Sequence, residues 1–111
     1  MKESRALTKG AQYALVYQQG KVWVNDLLVI KALYTGSSLS RCGFSVTKKV
    51  GGAVQRNRLK RLLKEIIRLK SLRQGWDIVF IVRPVASDAD YHQLERAMDK
   101  LLMRAQLLEN S

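Results

Sequence analysis

The residues most able to do chemistry are cations at close spacing. From Lys48 to Arg68 the chain reads KKVGGAVQRNRLKRLLKEIIR, in which Glu65 is the sole acid. Guanidinium and ammonium groups at this density bind phosphate oxygens. Tyr13 and Tyr17 stand four residues apart, which on a helix puts both rings on one face. Paired rings can stack unpaired bases without reading their sequence, at about 1–3 kcal/mol per base. On spacing alone, however, such a pair reads as ordinary core.

Covalent chemistry has little to work with. Cys42 is the single cysteine and His92 the single histidine, and nothing in the sequence ties one to the other. Cys42 reads as a small buried hydrophobe and His92 as a surface helix residue. One cysteine excludes an internal disulfide, a multi-cysteine zinc site and a Cys-x-x-Cys redox motif. Asp88, Asp90, Glu95 and Asp99 scatter along the last predicted helix instead of clustering around a metal. No catalytic residue and no protein-bound metal is assigned.

Composition agrees with a polyanionic partner. The 111 residues carry 20 Lys+Arg and 9 Asp+Glu, a net charge of +11, with 47% hydrophobic residues. That is one globular domain over 1–111 rather than a disordered chain. The excess charge is concentrated: residues 41–73 hold eleven basic groups against Glu65, net +10, whereas 74–111 are net −2. Ten like charges on thirty-three residues repel one another unless a partner neutralises them. The longest apolar run, Ile78 to Val82, is far too short to span a membrane. The start, MKESRALTKG, has no apolar stretch of the secretory type. A soluble, cytoplasmic protein is expected.

Several elements are needed to position these groups. Thr8 can cap a first helix over 9–19, closed by Gly20. Val22-Trp23-Val24 and Leu27 to Tyr34 read as strands, separated from a third strand, Cys42 to Thr47, by the Thr35-Gly36-Ser37-Ser38 turn. Gly51-Gly52 precedes a long helix over 53–73. Trp76 to Val82 is a buried strand stopped by Pro84, and Ser87 or Asp88 caps a last helix to about Leu108. The order α-β-β-β-α-β-α is that of an α+β, two-layer α/β sandwich.

The long helix separates into two faces at 100° per residue. Leu59, Leu62, Leu63, Ile66, Ile67 and Leu69 fall on one side. Arg56, Asn57, Lys60, Arg61, Lys64 and Arg68 fall on the other, with Arg58 at the boundary. The cationic band runs about 18 Å. A solvated face is the usual meaning of helix charge, but only Glu65 is available here for pairing along the helix. Lys48 and Lys49 lead into the helix N-terminus, whose free N–H groups attract phosphate. The GK[ST] ending of a P-loop is absent, so nucleotide hydrolysis is unsupported.

The stretch GFSVTKKVGGAVQRNRLKRLLKE (43–65) resembles the signature region of the bacterial ribonuclease P protein subunit, whose mark is an Arg-Asn-Arg helix. The resemblance extends to the aromatic-x-x-x-aromatic first helix and the strand–Pro–helix ending. It implies a left-handed β-α-β crossover around the basic helix, where sequence physics alone would predict a right-handed one. It also implies a role. In that family a large RNA is the catalyst and uses Mg²⁺, held mainly by the RNA, to cut the 5′ leader from precursor tRNA. The small protein binds the catalytic RNA and the leader.

Carried over by position, Arg56, Asn57, Arg58, Lys60 and Arg61 would face the catalytic RNA, with Lys48, Lys49, Lys64 and Arg68 extending that surface. Tyr13 and Tyr17 stand where the family commonly has Phe and would line the leader cleft. Lys31 shares a strand face with Leu27, Val29 and Leu33, and a Lys on an apolar face needs solvent or an anion. A structural RNA-binding protein, such as a small ribosomal protein, is the competing reading. Duplex DNA binding is weaker, because the helix lacks a turn-helix or zipper context.

Overall fold

The computed structural model describes residues 4–109. A five-stranded sheet has the order β1-β4-β5-β3-β2. Its strands are β1 (Ser4–Ala6), β2 (Lys21–Val24), β3 (Leu28–Tyr34), β4 (Ser40–Ser45) and β5 (Trp76–Val82). Three helices accompany them: α1 (Gly10–Gln19), α2 (Ala53–Arg68) and α3 (Tyr91–Arg104). The expected order α-β-β-β-α-β-α is present, preceded by the short β1, which pairs parallel to β4. β4 and β5 are parallel neighbours joined through α2, while β2–β3 and β3–β5 are antiparallel.

Alternation along the strands divides the sheet into two faces. Leu28, Ile30 and Ala32 of β3, with Ile78, Phe80 and Val82 of β5, meet α2 and α3 in the main core. There α2 contributes Leu59, Leu63, Ile66 and Ile67, and α3 contributes Leu94, Ala97, Met98, Leu101 and Leu102. Phe44 stacks on Phe80 with centroids 5.6 Å apart. This is the two-layer sandwich. The opposite face is covered in part by α1, which buries Val16 against Val79 and Leu7, with Tyr13, Leu33 and Ile81 at the margin.

Element ends differ from the sequence expectations for local reasons. α2 stops at Arg68, not at residue 73. Leu72 bridges Leu108, Arg73 N–H donates to Leu107 O (2.8 Å) and Glu109 N–H donates to Ser71 O (2.8 Å), so the segment after the helix is drawn into pairing with the C-terminal tail. Leu69 therefore lies outside the helical stripe, 61% exposed. The tail reaches that position because α3 ends at Arg104 and Gln106 takes φ 57°.

α3 begins at Tyr91, later than expected. A 3₁₀ turn at Pro84–Ala86 intervenes, and the cap is Asp90, which accepts from Gln93 N–H (2.8 Å) while Gln93 Oε1 accepts from Asp90 N–H (3.0 Å). This reciprocal arrangement satisfies two donors at once. Lys9, not Thr8, precedes α1, and Gln12 Oε1 accepts from the Thr8 and Lys9 amides. β4 runs 40–45 rather than 42–47, and Leu27, just before β3, packs against the main core rather than beside Lys31.

Candidate nucleic-acid interface

The outer side of α2 carries the cationic ridge. Asn57, Lys60, Arg61, Lys64, Glu65 and Arg68 line one shallow groove of about 350 Å³. The helix displays these groups because its other side is anchored by four buried aliphatic residues. Among the described residues the ion pairs are Arg41–Asp77, Lys70–Glu95 and Lys70–Asp99, so the ridge cations have no carboxylate partner. Lys48 and Lys49 are exposed in the turn closed by Val50 N–H donating to Thr47 O (3.0 Å).

Two arginines of the motif sit differently. Arg56 is half-buried, and its Nε is shielded from solvent with no hydrogen-bond partner among the described residues. Arg58 turns toward the start of α3: its Nη2 donates to the Ser87 and Ala89 carbonyls, both at 3.1 Å. Gln55 adds a 2.7 Å bond from Nε2 to Ser87 O. Arg58 thus clamps α2 to the loop that feeds α3, and this tether occupies one of its guanidinium nitrogens.

On the other face of the sheet, Tyr13, Tyr17 and Lys31 are brought together. The two rings lie 6.5 Å apart, tilted by 38°, and Lys31 Nζ stands 4.9 Å from the Tyr17 ring centroid, within cation–π range. Tyr17 is 39% exposed, whereas Tyr13 is half-buried over β4. Its seat is Gly43, where an added Cβ would stand 2.4 Å from the Tyr13 hydroxyl oxygen. A glycine inside a strand commonly marks such a close approach, and this was the sequence signal for the seat. By register, Val22 and Val24 of β2 and Val29 of β3 share this face with Lys31. The result is an aromatic and cationic wall beside a partly open apolar floor, suited to unpaired nucleotides.

Sequence reasoning missed the Arg41–Asp77 pair. Asp77 is only 3% exposed and accepts two bonds, from Arg41 Nε (2.8 Å) and Nη2 (2.6 Å). The hydrogen bond to Asp77 raises the Arg41 pKa further above its ordinary value. A lone acid in the apolar strand WDIVFIV was the available signal, since a buried carboxylate needs a cation. Cys42, next along β4, is buried; desolvation first, and the Asp77 charge second, push its thiol up to about 12. His92 is exposed. Among the described residues no group of three or more His, Cys, Asp or Glu side chains could hold a metal ion.

Comparison with known proteins places this arrangement. The family model for ribonuclease P matches residues 1–106. The ribonuclease P protein component of Dehalococcoides mccartyi is 46% identical over 111 residues, covering 100% of this chain and 92% of that protein. The protein component of Caldanaerobacter subterraneus is 42% identical, covering 93% and 90%. Among solved structures, the RNase P protein of Staphylococcus aureus superposes with a TM-score of 0.86 at 26% identity, covering 96% of this chain and 100% of that one. That of Thermotoga maritima gives 0.82 at 31% identity, covering 90% and 96%. With the cationic α2 and its Arg-Asn-Arg sequence in the matched region, the chain belongs to the ribonuclease P protein family.

Proposed function

We propose that this chain is the protein subunit of a ribonuclease P ribonucleoprotein, in which a catalytic RNA removes the 5′ leader of precursor tRNA. The observation that carries the reading is the groove on α2, where Asn57, Lys60, Arg61, Lys64 and Arg68 gather beside Glu65 and the cations form no ion pair among the described residues. In this reading the groove and the Lys48-Lys49 turn hold phosphates of the catalytic RNA. Arg56 Nε gains an RNA oxygen, and Arg58 keeps the ridge fixed relative to α3. Tyr13, Tyr17 and Lys31 hold the unpaired leader: the rings stack bases and the ammonium meets a phosphate.

The protein then assists by positioning and by charge. Neutralised phosphates lower the repulsion between two large RNAs, so less Mg²⁺ is needed to bring precursor and catalyst together. Mg²⁺ belongs to the RNA in this scheme, and no step assigned to the chain runs through a metal. The place of action is the cytoplasm; among the described residues no helix is long and apolar enough to cross a membrane.

Reconstitution with the cognate RNA is the test. Added protein should accelerate leader removal at low Mg²⁺, while the protein alone cuts nothing. RNA binding without acceleration would favour a structural RNA-binding role, as in a small ribosomal protein. Cleavage by the protein alone would overturn the scheme.

A further inference from the structure

The linear charge count hides a second cationic surface. Residues 74–111 are net −2, but five of their six acids, all except the exposed Glu109, are engaged in the folded chain. Asp77 is held by Arg41. Glu95 and Asp99 flank Lys70, at 3.2 and 3.0 Å. Asp90 caps α3, and Asp88 accepts from Gln55 Nε2. The basic groups of the same segment, Arg83, Arg96, Lys100 and Arg104, are all exposed and form no ion pair among the described residues.

These four cations converge on one place, the turn between β2 and β3. Arg83 Nη1 donates to Asn25 O (2.8 Å) and Asp26 O (3.3 Å), and Arg104 Nη1 donates to Val24 O (2.9 Å). Arg96 and Lys100 form the wall of a groove of about 270 Å³ whose other lining includes Asn25, Asp26 and Gln93. Asn25 fixes the turn itself: its Oδ1 accepts from the Leu27 and Leu28 amides and its Nδ2 donates to Ala97 O (2.9 Å). The clamps consume one guanidinium nitrogen each and leave the other donors of Arg83 and Arg104 available. Among the described residues that line the groove, Asp26 is the single carboxylate.

α3 is thus asymmetric in charge. Its acidic flank faces Lys70 at the end of α2, and its basic flank faces the β2–β3 turn. Two cationic stripes lie on the same layer of the molecule, on α2 and on the far side of α3, with Lys70 and its two carboxylates between them. Arg96, Lys100 and Arg104 follow at intervals of four residues, about 6 Å of helix each, a row suited to successive phosphates.

We propose that this flank of α3 and the β2–β3 turn form a second phosphate-backbone contact for the same RNA subunit that the α2 ridge holds. The inference rests on the function proposed above. An RNA is favoured over an acidic polypeptide because one folded polyanion lying on the α2–α3 layer can reach both stripes.

The test uses the full chain with the doubly substituted Arg96→Gln/Lys100→Gln, titrated with the RNase P RNA subunit at several salt concentrations and footprinted with hydroxyl radicals. Its unfolding midpoint should match the parent, since both side chains are exposed. Affinity should fall about tenfold and the salt slope should become shallower by about 1–2. The nucleotides that lose protection should differ from those lost in Arg61→Ala, and the charge-preserving Arg96→Lys/Lys100→Arg should restore them. Unchanged affinity and slope, with Arg61→Ala still impaired, would overturn this contact and leave the α2 reading standing. If Arg61→Ala were equally without effect, the ridge itself would fail. A loss confined to precursor tRNA binding would overturn the assignment to the RNA subunit.

Discussion

The two faces of the sheet carry their candidate sites in opposite ways. On the α2 face, one helix supplies every side chain of the groove and is anchored by Leu59, Leu63, Ile66 and Ile67. On the α1 face, the helix buries Val16, and the site needs Tyr13 and Tyr17 from α1, Lys31 from β3 and the bare backbone of Gly43 in β4. A ridge made by one well-anchored helix tolerates change in its neighbours. A cleft assembled from three elements depends on strand register and on the seat of one ring. In the proposed reading the ridge would serve phosphate affinity, which follows charge, and the cleft recognition of an unpaired strand, which follows shape.

The largest expected effect tests how far the α1 face is built on its buried pair. By register Arg41 and Asp77 share that face with Leu33. Arg41→Ala leaves a carboxylate 3% exposed without its cation, and it should lower unfolding free energy by about 3 kcal/mol in urea denaturation. A loss below about 1 kcal/mol would mean that Asp77 finds another partner and that the face does not depend on the pair.

Tyr17→Ala comes next. It removes an exposed ring and should reduce holoenzyme affinity for precursor tRNA, relative to mature tRNA, by about tenfold, the worth of stacking one base. Equal losses for both tRNAs would remove the leader role from the cleft. Tyr13→Ala should act in the same direction, with an added stability loss because that ring fills space over Gly43.

Arg61→Ala sharpens the other side of the comparison. It should leave the unfolding midpoint in place, weaken catalytic RNA binding about fivefold and reduce the salt slope by about 1. An unchanged slope would show that Arg61 meets water rather than phosphate.

The smallest effect concerns Cys42. With its thiol held at about 12 by burial, alkylation of the folded protein should not speed up between pH 7 and 9, and denaturant should release it. The folded pKa lies above the unfolded one, so this group's contribution to stability is whole below about pH 8.5 and declines as the unfolded thiolate forms above it. Rapid native alkylation at pH 8 would place Cys42 nearer solvent than the structure does.

Composition and periodicity were enough for the ridge and for most of the architecture. A net charge of +10 over 41–73 and a 3.6-residue alternation of aliphatic and basic side chains follow from residue order alone. So do the strand-turn patterns that place the sheet. The Arg-Asn-Arg stretch carried the family resemblance, because a contiguous motif is intact in one dimension.

Folding decided the features that join residues distant in the chain. Arg41 meets Asp77 across thirty-six positions, Lys70 pairs with both Glu95 and Asp99, and Arg58 is drawn to the Ser87 and Ala89 carbonyls. The early end of α2 has the same origin, since residues 71–73 pair with the tail once α3 has turned back. Lys31 reaches Tyr17 only because α1 crosses the sheet there. Helix and strand period depend on neighbours in sequence, whereas ion pairs and ring contacts depend on which surfaces the shared core brings within a few ångströms. For that reason a segment of net negative charge can still present a cationic flank.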